Sequence, residues 1–465
     1  MTEIKFGTDG WRAIIAVDYT IDNLKRVAEA TAVYMIENKM KKAVVGYDTR
    51  FGGQMFAETT AHILADRGIK VLLSDSFVST PMVSLGIVKT KSDMGIVITA
   101  SHNPPSYNGY KLKSSFGGPT IPKEISKVED IIKNSIPITN STFHQLLEKG
   151  EIEHIDLEQI YLDHIGQNFD LNMIKSSNIN LAYDAMYGAG QNAIKNLFPD
   201  ALLMHCDNNP GFKGQAPEPI ARNLRDLSST IKNSPSINLG LANDGDADRV
   251  GMFDDKGKFI DSHHILLLLL YYLHEYKKMT GKVVCSFSVT EKLKKLANHF
   301  GLETEVTKIG FKYIAEIMIN DDVLVGGEES GGIAVKGHIP ERDGVWIGLT
   351  IMEFMAKTGK SLNELIQEVY AMVGPFSYDR DDLHLTNEEK DSIINKCHKG
   401  LITHIGKRPV IKTESIDGFK FYIADDEWVM VRPSGTEPVL RVYAQAPSEE
   451  LVRELLNIAH TTLQK

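Results

Sequence analysis

One pattern recurs through most of this 465-residue chain and limits the folds that it can adopt. Short apolar segments end in polar, often glycine-containing loops, at residues 43–45, 95–98, 179–183, 237–241 and 323–325. Helix-period segments lie between them, and the first has one apolar face formed by Leu24, Val27, Ala28, Thr31, Tyr34 and Met35. Alternating helices and strands predict α/β layers, in which loops that follow strands bring polar groups to one edge of a sheet.

The length and three changes in composition predict four domains. A chain this long exceeds what one hydrophobic core usually supports. Breaks are predicted in the polar stretch 135–151, after the turn at 254–257, and near 374–382. Beyond the last break, strands at 419–423 and 439–446 and a closing helix from Ser448 predict a small α+β domain. The predicted domains are therefore three α/β domains at 1–150, 151–256 and 257–373, and an α+β domain at 374–465.

Charge and composition exclude several classes of protein. The formal net charge of −10 disfavours general nucleic-acid binding, which needs a basic face. Three widely spaced cysteines fit reduced thiols and no zinc site. The N-terminal residues lack the pattern of a signal peptide, and the apolar run 265–273 is shorter than the ~20 residues of a membrane span, so it predicts a buried helix. We expect a cytoplasmic protein with no membrane partner.

The segment TASHNPP at 99–105 contains a candidate nucleophile, Ser101. Two prolines fix the loop, and His102 and Lys111 lie near the serine in sequence. An ordinary polar surface turn has a similar composition, and that alternative remains open on local chemistry alone. A serine hydrolase is disfavoured, because the glycines of the G-x-S-x-G elbow are missing.

The segment DGDADR at 244–249 is a candidate metal site. Asp244, Asp246 and Asp248 occupy alternate positions, and an extended backbone would point their carboxylates to the same side. Clustered carboxylates repel one another unless a cation lies among them, and Mg²⁺ beside a phosphate fits this donor set. A solvated acidic turn is the alternative. An EF-hand is excluded, because Arg249 and Asp255 stand where that motif needs glycine and glutamate.

Two further loops have the composition of a sugar-phosphate site. In GGEESGG at 326–332, Glu328 and Ser330 could contact sugar hydroxyls, and the segment RPSGTEP at 432–438 could cradle an anion. Plain turns are the alternative for both loops. Charged residues near them in sequence could complete a pocket, namely Lys308, His338, Arg342, Asp343 and Arg441.

In this order, these segments resemble the α-D-phosphohexomutase family. The matching motifs are GTDGWR at 7–12, TASHNPPSYNGYK at 99–111, DGDADR at 244–249, GGEESGG at 326–332 and RPSGTEP at 432–438. The resemblance implies three similar α/β domains with mixed sheets and a smaller C-terminal domain around a central active-site cleft. It also implies a hexose monophosphate substrate, Mg²⁺, and a hexose 1,6-bisphosphate that serves as intermediate and activator.

The resemblance implies a role for each matching residue. Ser101 would carry the phosphoryl group and, with Asp244, Asp246 and Asp248, bind the metal. Arg12 and Arg249 would lie near the phosphoserine, and Glu328 and Ser330 would contact the sugar. Lys308 falls in the segment TKIGFKYI, which would contact the substrate. The phosphate that is not transferred would be held by Arg432, Ser434, Gly435 and Thr436. The proton acceptor stays open among Lys111, His102 and Arg342.

The resemblance favours glucose as the sugar, because Gly332 stands where mannose-capable and glucosamine-directed members usually have histidine. The alternatives are a phosphomannomutase, a phosphoglucosamine mutase, a hexose 1,6-bisphosphate synthase and a non-catalytic sugar-phosphate-binding protein. A monomer and a homodimer are both compatible with the sequence.

Overall fold

The computed structural model describes residues 3–464 except 134, 136, 138 and 434–438. The chain forms two compact units. The larger unit comprises Met1–Lys282 and Gly310–Leu365, and the smaller unit comprises Val283–Ile309 and Ile366–Lys465. The three predicted α/β domains and the C-terminal domain are present, with mixed sheets.

The first α/β domain is built on a mixed sheet. Its elements are β1 (Trp11–Ile14), α1 (Ile21–Glu37), β2 (Lys42–Tyr47), α2 (Gly53–Asp66), β3 (Lys70–Ser74), α3 (Thr80–Thr90), β4 (Met94–Ile98), β5 (Tyr107–Ser114), β6 (Gly118–Pro119), α4 (Pro122–Ile132), α5 (Phe143–Glu148) and β7 (Ile152–Ile155). The strand order is β1-β5-β4-β2-β3-β7, and β6 pairs with β5. Strands β4, β2, β3 and β7 are parallel, while β5 is antiparallel to its neighbours. Strand β7 therefore extends this sheet beyond residue 150.

Burial explains why the centre of this sheet is apolar. Strands β2, β3 and β4 are covered by helices and are buried along nearly their whole length, as expected of parallel strands. The predicted apolar face of α1 is confirmed, because all six of its residues are buried. This packing brings the C-terminal ends of β2 and β4 to one edge of the sheet.

The second α/β domain contains α6 (Leu157–Asn168), α7 (Leu171–Ser176), β8 (Leu181–Asp184), α8 (Gln191–Leu197), β9 (Leu202–Met204), α9 (Arg225–Asn233), β10 (Leu239–Asn243), β11 (Val250–Phe253) and β12 (Phe259–Ile260). The strand order is β12-β11-β10-β8-β9. Strands β9, β8 and β10 are parallel, and β11 and β12 follow as antiparallel strands. The acidic segment DGDADR forms the turn between β10 and β11.

The third region contains α10 (Ser262–Tyr271), a π-helical turn at Tyr272–Tyr276, β13 (Lys282–Ser286), α11 (Glu291–His299), β14 (Thr304–Thr307), α12 (Phe311–Met318), β15 (Val323–Gly327), β16 (Ile333–Val335), α13 (Gly344–Thr358) and α14 (Leu362–Val373). Strands β13 and β14 are parallel, and β15 and β16 are antiparallel. The apolar run in α10 is buried, which confirms the predicted core helix. Among the described residues, no helix combines the length and the apolar character needed to cross a membrane.

The C-terminal domain contains β17 (Ser377–His384), α15 (Asn387–His398), β18 (His404–Ile405), β19 (Arg408–Pro409), β20 (Lys412–Glu414), β21 (Phe419–Ala424), β22 (Glu427–Pro433), β23 (Val439–Ala446) and α16 (Glu449–Gln464). Its main sheet is antiparallel, in the order β17-β23-β22-β21-β20. Residues of α15 and α16 form one core with this sheet. The two predicted strands and the closing helix are confirmed.

Candidate active site

Ser101 follows β4 and adopts a backbone conformation that is rare for a residue with a side chain. Its φ is 53°, in the left-handed region, and only 1% of its surface is exposed. The Ser101 hydroxyl donates a hydrogen bond to Oδ2 of Asp244 at 2.7 Å, and His102 Nδ1 lies 3.2 Å from the same hydroxyl oxygen. Residues held in such conformations concentrate at functional sites. The serine is thus fixed against the acidic turn, unlike the serine of an ordinary surface loop.

Asp244, Asp246 and Asp248 converge, as the sequence predicts. Each is fully buried, and each offers a carboxylate oxygen within 4.8 Å of those of the other two. The predicted reason for their convergence is wrong. The segment is a turn and not an extended strand, since Ala247 is left-handed with φ 54° and its N–H donates to the Asp244 carbonyl. The turn brings alternate carboxylates together because it reverses the chain between β10 and β11.

The carboxylate oxygens of this cluster divide into two groups. Oδ2 of Asp246 accepts hydrogen bonds from Thr80 Oγ1 at 2.5 Å and from Lys111 Nζ at 2.7 Å. Oδ2 of Asp248 lies 3.1 Å from Lys111 Nζ and 2.7 Å from Arg342 Nη2. Among the described residues, Oδ1 of Asp246 and Oδ1 of Asp248 are buried and have no hydrogen-bond partner.

This division fits a divalent cation. Buried carboxylate oxygens without a partner are costly, and Mg²⁺ or a similar hard cation prefers oxygen ligands. Burial, together with the negative charges of Asp246 and Asp248, raises the pKa of Asp244 well above its usual range, and a cation would relieve that repulsion. The buried aspartate triad can therefore hold a metal ion.

Asp9 is a member of the site that the sequence analysis did not single out. Its Oδ2 lies 2.7 Å from Lys111 Nζ and 2.5 Å from Arg342 Nη2, and Lys113 and Arg12 lie 3.8 Å from its carboxylate. Burial raises the pKa of Asp9, but these cations outweigh that effect and hold its pKa well below the usual range. Asp9 stands in the GTDGWR motif, which signalled a family resemblance and gave no indication of its ion pairs.

The three candidate proton acceptors differ in charge. Burial lowers the pKa of Lys111, but Asp246 and Asp248 outweigh that effect and raise its pKa, so its amine stays protonated. The pKa of Arg342 is likewise raised despite its burial, because Asp248 and Asp9 stabilise the guanidinium. Burial and neighbouring cations hold the pKa of His102 well below its usual range, so its imidazole is neutral. Of the three, His102 has a nitrogen able to accept a proton and lies beside Ser101.

The glycine-rich loop contacts the acidic turn. Arg249 and Gly332 form an isolated antiparallel bridge, and Val250 N–H donates to the Gly331 carbonyl at 3.3 Å. Glu328 is buried, and its Oε1 accepts a hydrogen bond from Gly310 N–H at 2.7 Å. Burial and the charge of the neighbouring Glu329 raise the pKa of Glu328 to about 7.

Arg342 explains why position 332 is a glycine. A Cβ atom on Gly332 would lie 2.5 Å from Cδ and 3.2 Å from Cγ of Arg342. The Arg342 side chain cannot easily move away, because its guanidinium is held by Asp9 and Asp248. The glycine is thus required by the packing of this arginine.

Other predicted residues of the larger unit have different surroundings. Arg12 Nη1 donates to Asn103 Oδ1 at 2.8 Å, which places this arginine on the Ser101 loop. The backbone N–H of Arg249 donates to Asp244 Oδ1 at 3.0 Å, and Ser330 is half-buried. The His338 ring contacts Trp346 and Asp343. Its ring stacks on Trp346 at 3.8 Å and its Nε2 lies 2.9 Å from Asp343, the N-cap residue of α13, so these contacts are structural.

The remaining predicted residues belong to the smaller unit. Arg432 and Arg441 face each other on the antiparallel strands β22 and β23. Arg432 Nε lies 3.2 Å from Asp417 Oδ2, and this oxygen also accepts a hydrogen bond from the N–H of Ile309, the residue after Lys308. Arg432 and Arg441 thus form a basic pair that is suited to an anion. Lys308 directly precedes the residue that shares the Asp417 carboxylate with Arg432. The predicted contacts of Ser434, Gly435 and Thr436 lie outside the described residues.

Comparisons with known proteins agree along the whole chain. Four family profiles match it: Phosphoglucomutase/phosphomannomutase alpha/beta/alpha domain I at 3–137, domain II at 159–257, domain III at 261–373 and the C-terminal domain at 398–458. The phosphoglucosamine mutase of Methanococcus maripaludis is 31% identical over 460 residues, which cover 97% of this chain and 96% of the relative. The phosphoglucomutase/phosphomannomutase of Thermococcus kodakarensis is 29% identical over 470 residues, which cover 99% and 98%. A crystal structure from Thermus thermophilus, of a protein provisionally named phosphomannomutase, is 32% identical with a TM-score of 0.88 and covers 100% of both chains.

The division of carboxylate oxygens predicts a specific effect on metal binding. Asp246→Asn removes the charge of one buried carboxylate, and we expect the affinity for Mg²⁺ or Mn²⁺ to fall by about 10- to 100-fold or more. Isothermal titration calorimetry on the full-length protein measures this affinity. Asp254→Asn, in the buried turn after β11, is the matched control and should bind the cation like the wild type. Equal affinities for Asp246→Asn and wild type would show that the triad is not the metal site.

Proposed function

The chain belongs to the α-D-phosphohexomutase family of isomerases, and from that premise we propose that it interconverts hexose 1-phosphate and hexose 6-phosphate through phosphorylated Ser101. The observation that carries this proposal is the hydrogen bond from the Ser101 hydroxyl to Asp244, one of three buried carboxylates that can hold a metal ion. A nucleophile held beside a cation site is what phosphoryl transfer requires.

The proposed reaction has two matched transfers. In the first, the bond between phosphorus and Oγ of Ser101 breaks, and a bond forms to a free hydroxyl oxygen of the bound monophosphate, giving a hexose 1,6-bisphosphate. The proton of that hydroxyl leaves, and Ser101 Oγ gains a proton. In the second transfer, the bond between the other phosphorus and its sugar oxygen breaks, and a bond forms from that phosphorus to Ser101 Oγ. Ser101 Oγ loses its proton, and the freed sugar oxygen gains one. Free hexose 1,6-bisphosphate would phosphorylate an unmodified enzyme by the same step and so act as activator.

The residues around Ser101 support this chemistry. Asp244, Asp246, Asp248 and an oxygen of phosphorylated Ser101 would hold Mg²⁺. When bound, Mg²⁺ would offset negative charge on the transferring phosphoryl group. The neutral His102 imidazole, whose Nδ1 lies 3.2 Å from Ser101 Oγ, is placed to take the proton from that oxygen when the oxygen attacks phosphorus. Once protonated in this way, the same imidazole could return a proton to Ser101 Oγ. Lys111 stays an ammonium ion and would act through its charge.

Glucosamine is the sugar that we propose, ahead of glucose and mannose. The sequence argument for glucose rested on Gly332, and the close approach of Arg342 to Gly332 gives that glycine a structural explanation. The M. maripaludis relative, which matches nearly the whole chain, is named a phosphoglucosamine mutase. Glu328 and Glu329 add a physical reason. Burial and the charge of Glu329 raise the pKa of Glu328, and an ammonium group on the sugar would stabilise the ionised form of this carboxylate.

Loss of the nucleophile tests the mutase mechanism. We expect Ser101→Ala to lower kcat by about a thousandfold or more and to abolish phosphorylation by hexose 1,6-bisphosphate, since the acceptor oxygen is gone. Coupled assays give kcat, and intact-protein mass spectrometry detects the added phosphoryl group. Ser92→Ala removes another buried serine from the same domain and should retain normal turnover. A Ser101→Ala variant with near-normal turnover would exclude the phosphoserine mechanism.

The sugar is tested by comparing substrates on one preparation. With Mg²⁺ and the matching 1,6-bisphosphate, we expect kcat/KM for glucosamine 1-phosphate to exceed that for glucose 1-phosphate and mannose 1-phosphate by at least about tenfold, or ~1.4 kcal/mol. Product 6-phosphates are quantified by NMR. If glucose 1-phosphate or mannose 1-phosphate gave the higher value, the sugar assignment would be wrong while the mutase assignment stood.

The packing of Arg342 on Gly332 predicts a second effect. Gly332→Ala should lower kcat/KM by about 10- to 100-fold, because the added methyl group displaces the arginine that contacts Asp248. Gly166→Ala in α6 is the control, since a methyl group there meets no atom within 4 Å, and it should leave kcat/KM unchanged. Normal kcat/KM in Gly332→Ala would show that the site tolerates a side chain at this position.

A further inference from the structure

The backbone of Ser101 is held at both of its polar groups. Its N–H donates to Thr99 Oγ1 at 2.8 Å, and its carbonyl accepts a hydrogen bond from Arg50 Nη2 at 2.6 Å. A left-handed residue other than glycine needs such support, because this conformation has a steric cost for any residue with a Cβ atom. The two contacts offset that cost and fix the direction of the Ser101 side chain.

Arg50 binds the whole loop that presents the serine. Nη2 donates to the carbonyls of Ser101 and Asn103, and Nη1 donates to the carbonyls of Pro104 and Tyr107, all at 2.6–3.0 Å. The guanidinium is buried, and its planar set of donors matches four carbonyls that would otherwise lack a common partner. A lysine at this position has one nitrogen and could not reach all four.

Asp48, directly after β2, binds both side chains that hold the Ser101 backbone, those of Thr99 and Arg50. Its Oδ2 accepts a hydrogen bond from the Thr99 hydroxyl at 2.5 Å and lies 3.2 Å from Arg50 Nε. Its Oδ1 accepts from the backbone N–H of Arg50 at 3.0 Å. One buried carboxylate therefore sets the positions of the two side chains that hold Ser101.

The opposite side of the Ser101 carbonyl is closed by the acidic turn. A Cβ atom on Gly245 would lie 2.4 Å from the Ser101 carbonyl oxygen, so the two loops are in direct contact. The Arg50 guanidinium also lies over the Phe212 ring at 5.0 Å. A shift of Ser101 away from Arg50 would change the distance between Ser101 and Asp244. The proposed transfer depends on the hydrogen bond between these two residues.

We propose that Asp48, Thr99 and Arg50 are positioning residues that fix Ser101 in its left-handed conformation for phosphoryl transfer. This inference rests on the proposed function of Ser101 and deepens it. The three residues act through the Ser101 backbone, so they should govern the rate of transfer. They should leave the binding of sugar, and the binding of metal to the unphosphorylated protein, unchanged.

Thr99 gives the sharpest test, because it can be changed in two ways. Thr99→Val keeps the shape and removes the hydroxyl, while Thr99→Ser keeps the hydroxyl. We expect Thr99→Val to lower kcat, and the rate of Ser101 phosphorylation by hexose 1,6-bisphosphate, by about 10- to 100-fold. KM for the hexose phosphate, and the Kd of the unphosphorylated protein for Mg²⁺, should stay within about twofold of wild type. Thr99→Ser should restore most of the lost rate.

Arg50→Lys is the second variant, and Arg67→Lys is its matched control. Arg67 pairs with Glu29 in the same domain and has no contact with the Ser101 loop in the described structure. Phosphorylation is followed by intact mass in a quenched time course, and thermal unfolding checks the fold of each variant. We expect the Arg50→Lys variant to be phosphorylated more slowly than the wild type, and the Arg67→Lys variant to be phosphorylated at the wild-type rate.

Two results would overturn the proposal. Thr99→Val phosphorylated at the wild-type rate would show that Ser101 needs no such support, and equal losses in Thr99→Val and Thr99→Ser would assign the effect to packing. Both results leave the mutase function intact. A wild-type protein that hexose 1,6-bisphosphate never phosphorylates would instead remove the proposed function and this inference together.

Discussion

The candidate site depends on the ion pairs that the ammonium group of Lys111 forms with three carboxylates. This ammonium group lies within 3.1 Å of carboxylate oxygens of Asp9, Asp246 and Asp248, and all of these groups are removed from most of the solvent. Buried carboxylates would otherwise repel one another and take up protons. Because Lys111 and Arg342 bind one oxygen of Asp248, and Lys111 and Thr80 bind one oxygen of Asp246, the second oxygen of each aspartate stays available for a cation. The site thus combines cations that pair with Asp9, Asp246 and Asp248 and unpaired carboxylate oxygens that can hold a metal ion.

The same arrangement separates the roles of the cations and the histidine. Lys111 and Arg342 are held charged by the aspartates, so they can stabilise negative phosphoryl oxygens but cannot take up a proton. Burial and the cations around His102 hold its pKa well below the usual range, so its imidazole is neutral. A phosphohexomutase needs both kinds of group, because charge must be offset while protons move between oxygens. Ser101 stands where the two meet, and its left-handed backbone is held by hydrogen bonds at both its N–H and its carbonyl.

Sequence patterns predicted the layers of the fold well, because helix and strand periods are local. The buried face of α1 and the leucine-rich core helix α10 are examples. Sequence patterns also identified Ser101 as a candidate nucleophile and the three aspartates as a candidate metal site. They could not show the partners, since Ser101 and Asp244 are 143 residues apart and Asp48 and Thr99 are 51 apart. Asp9 was missed for the same reason. Gly332 shows a different limit of the sequence. It was interpreted there as a sign of the sugar, and only the structure shows that a side chain at this position would meet Arg342.

Transfer of a labelled phosphoryl group tests the central claim most directly. The protein is first phosphorylated with hexose 1,6-bisphosphate that carries radiolabelled phosphate, freed of excess label, and then mixed with unlabelled hexose monophosphate in a rapid-quench instrument. The account predicts that label leaves Ser101 within the time of one turnover, that it appears in hexose phosphates, and that the transfer requires a divalent cation. Label that stays on Ser101 during turnover, or that passes to water as inorganic phosphate, would contradict the account.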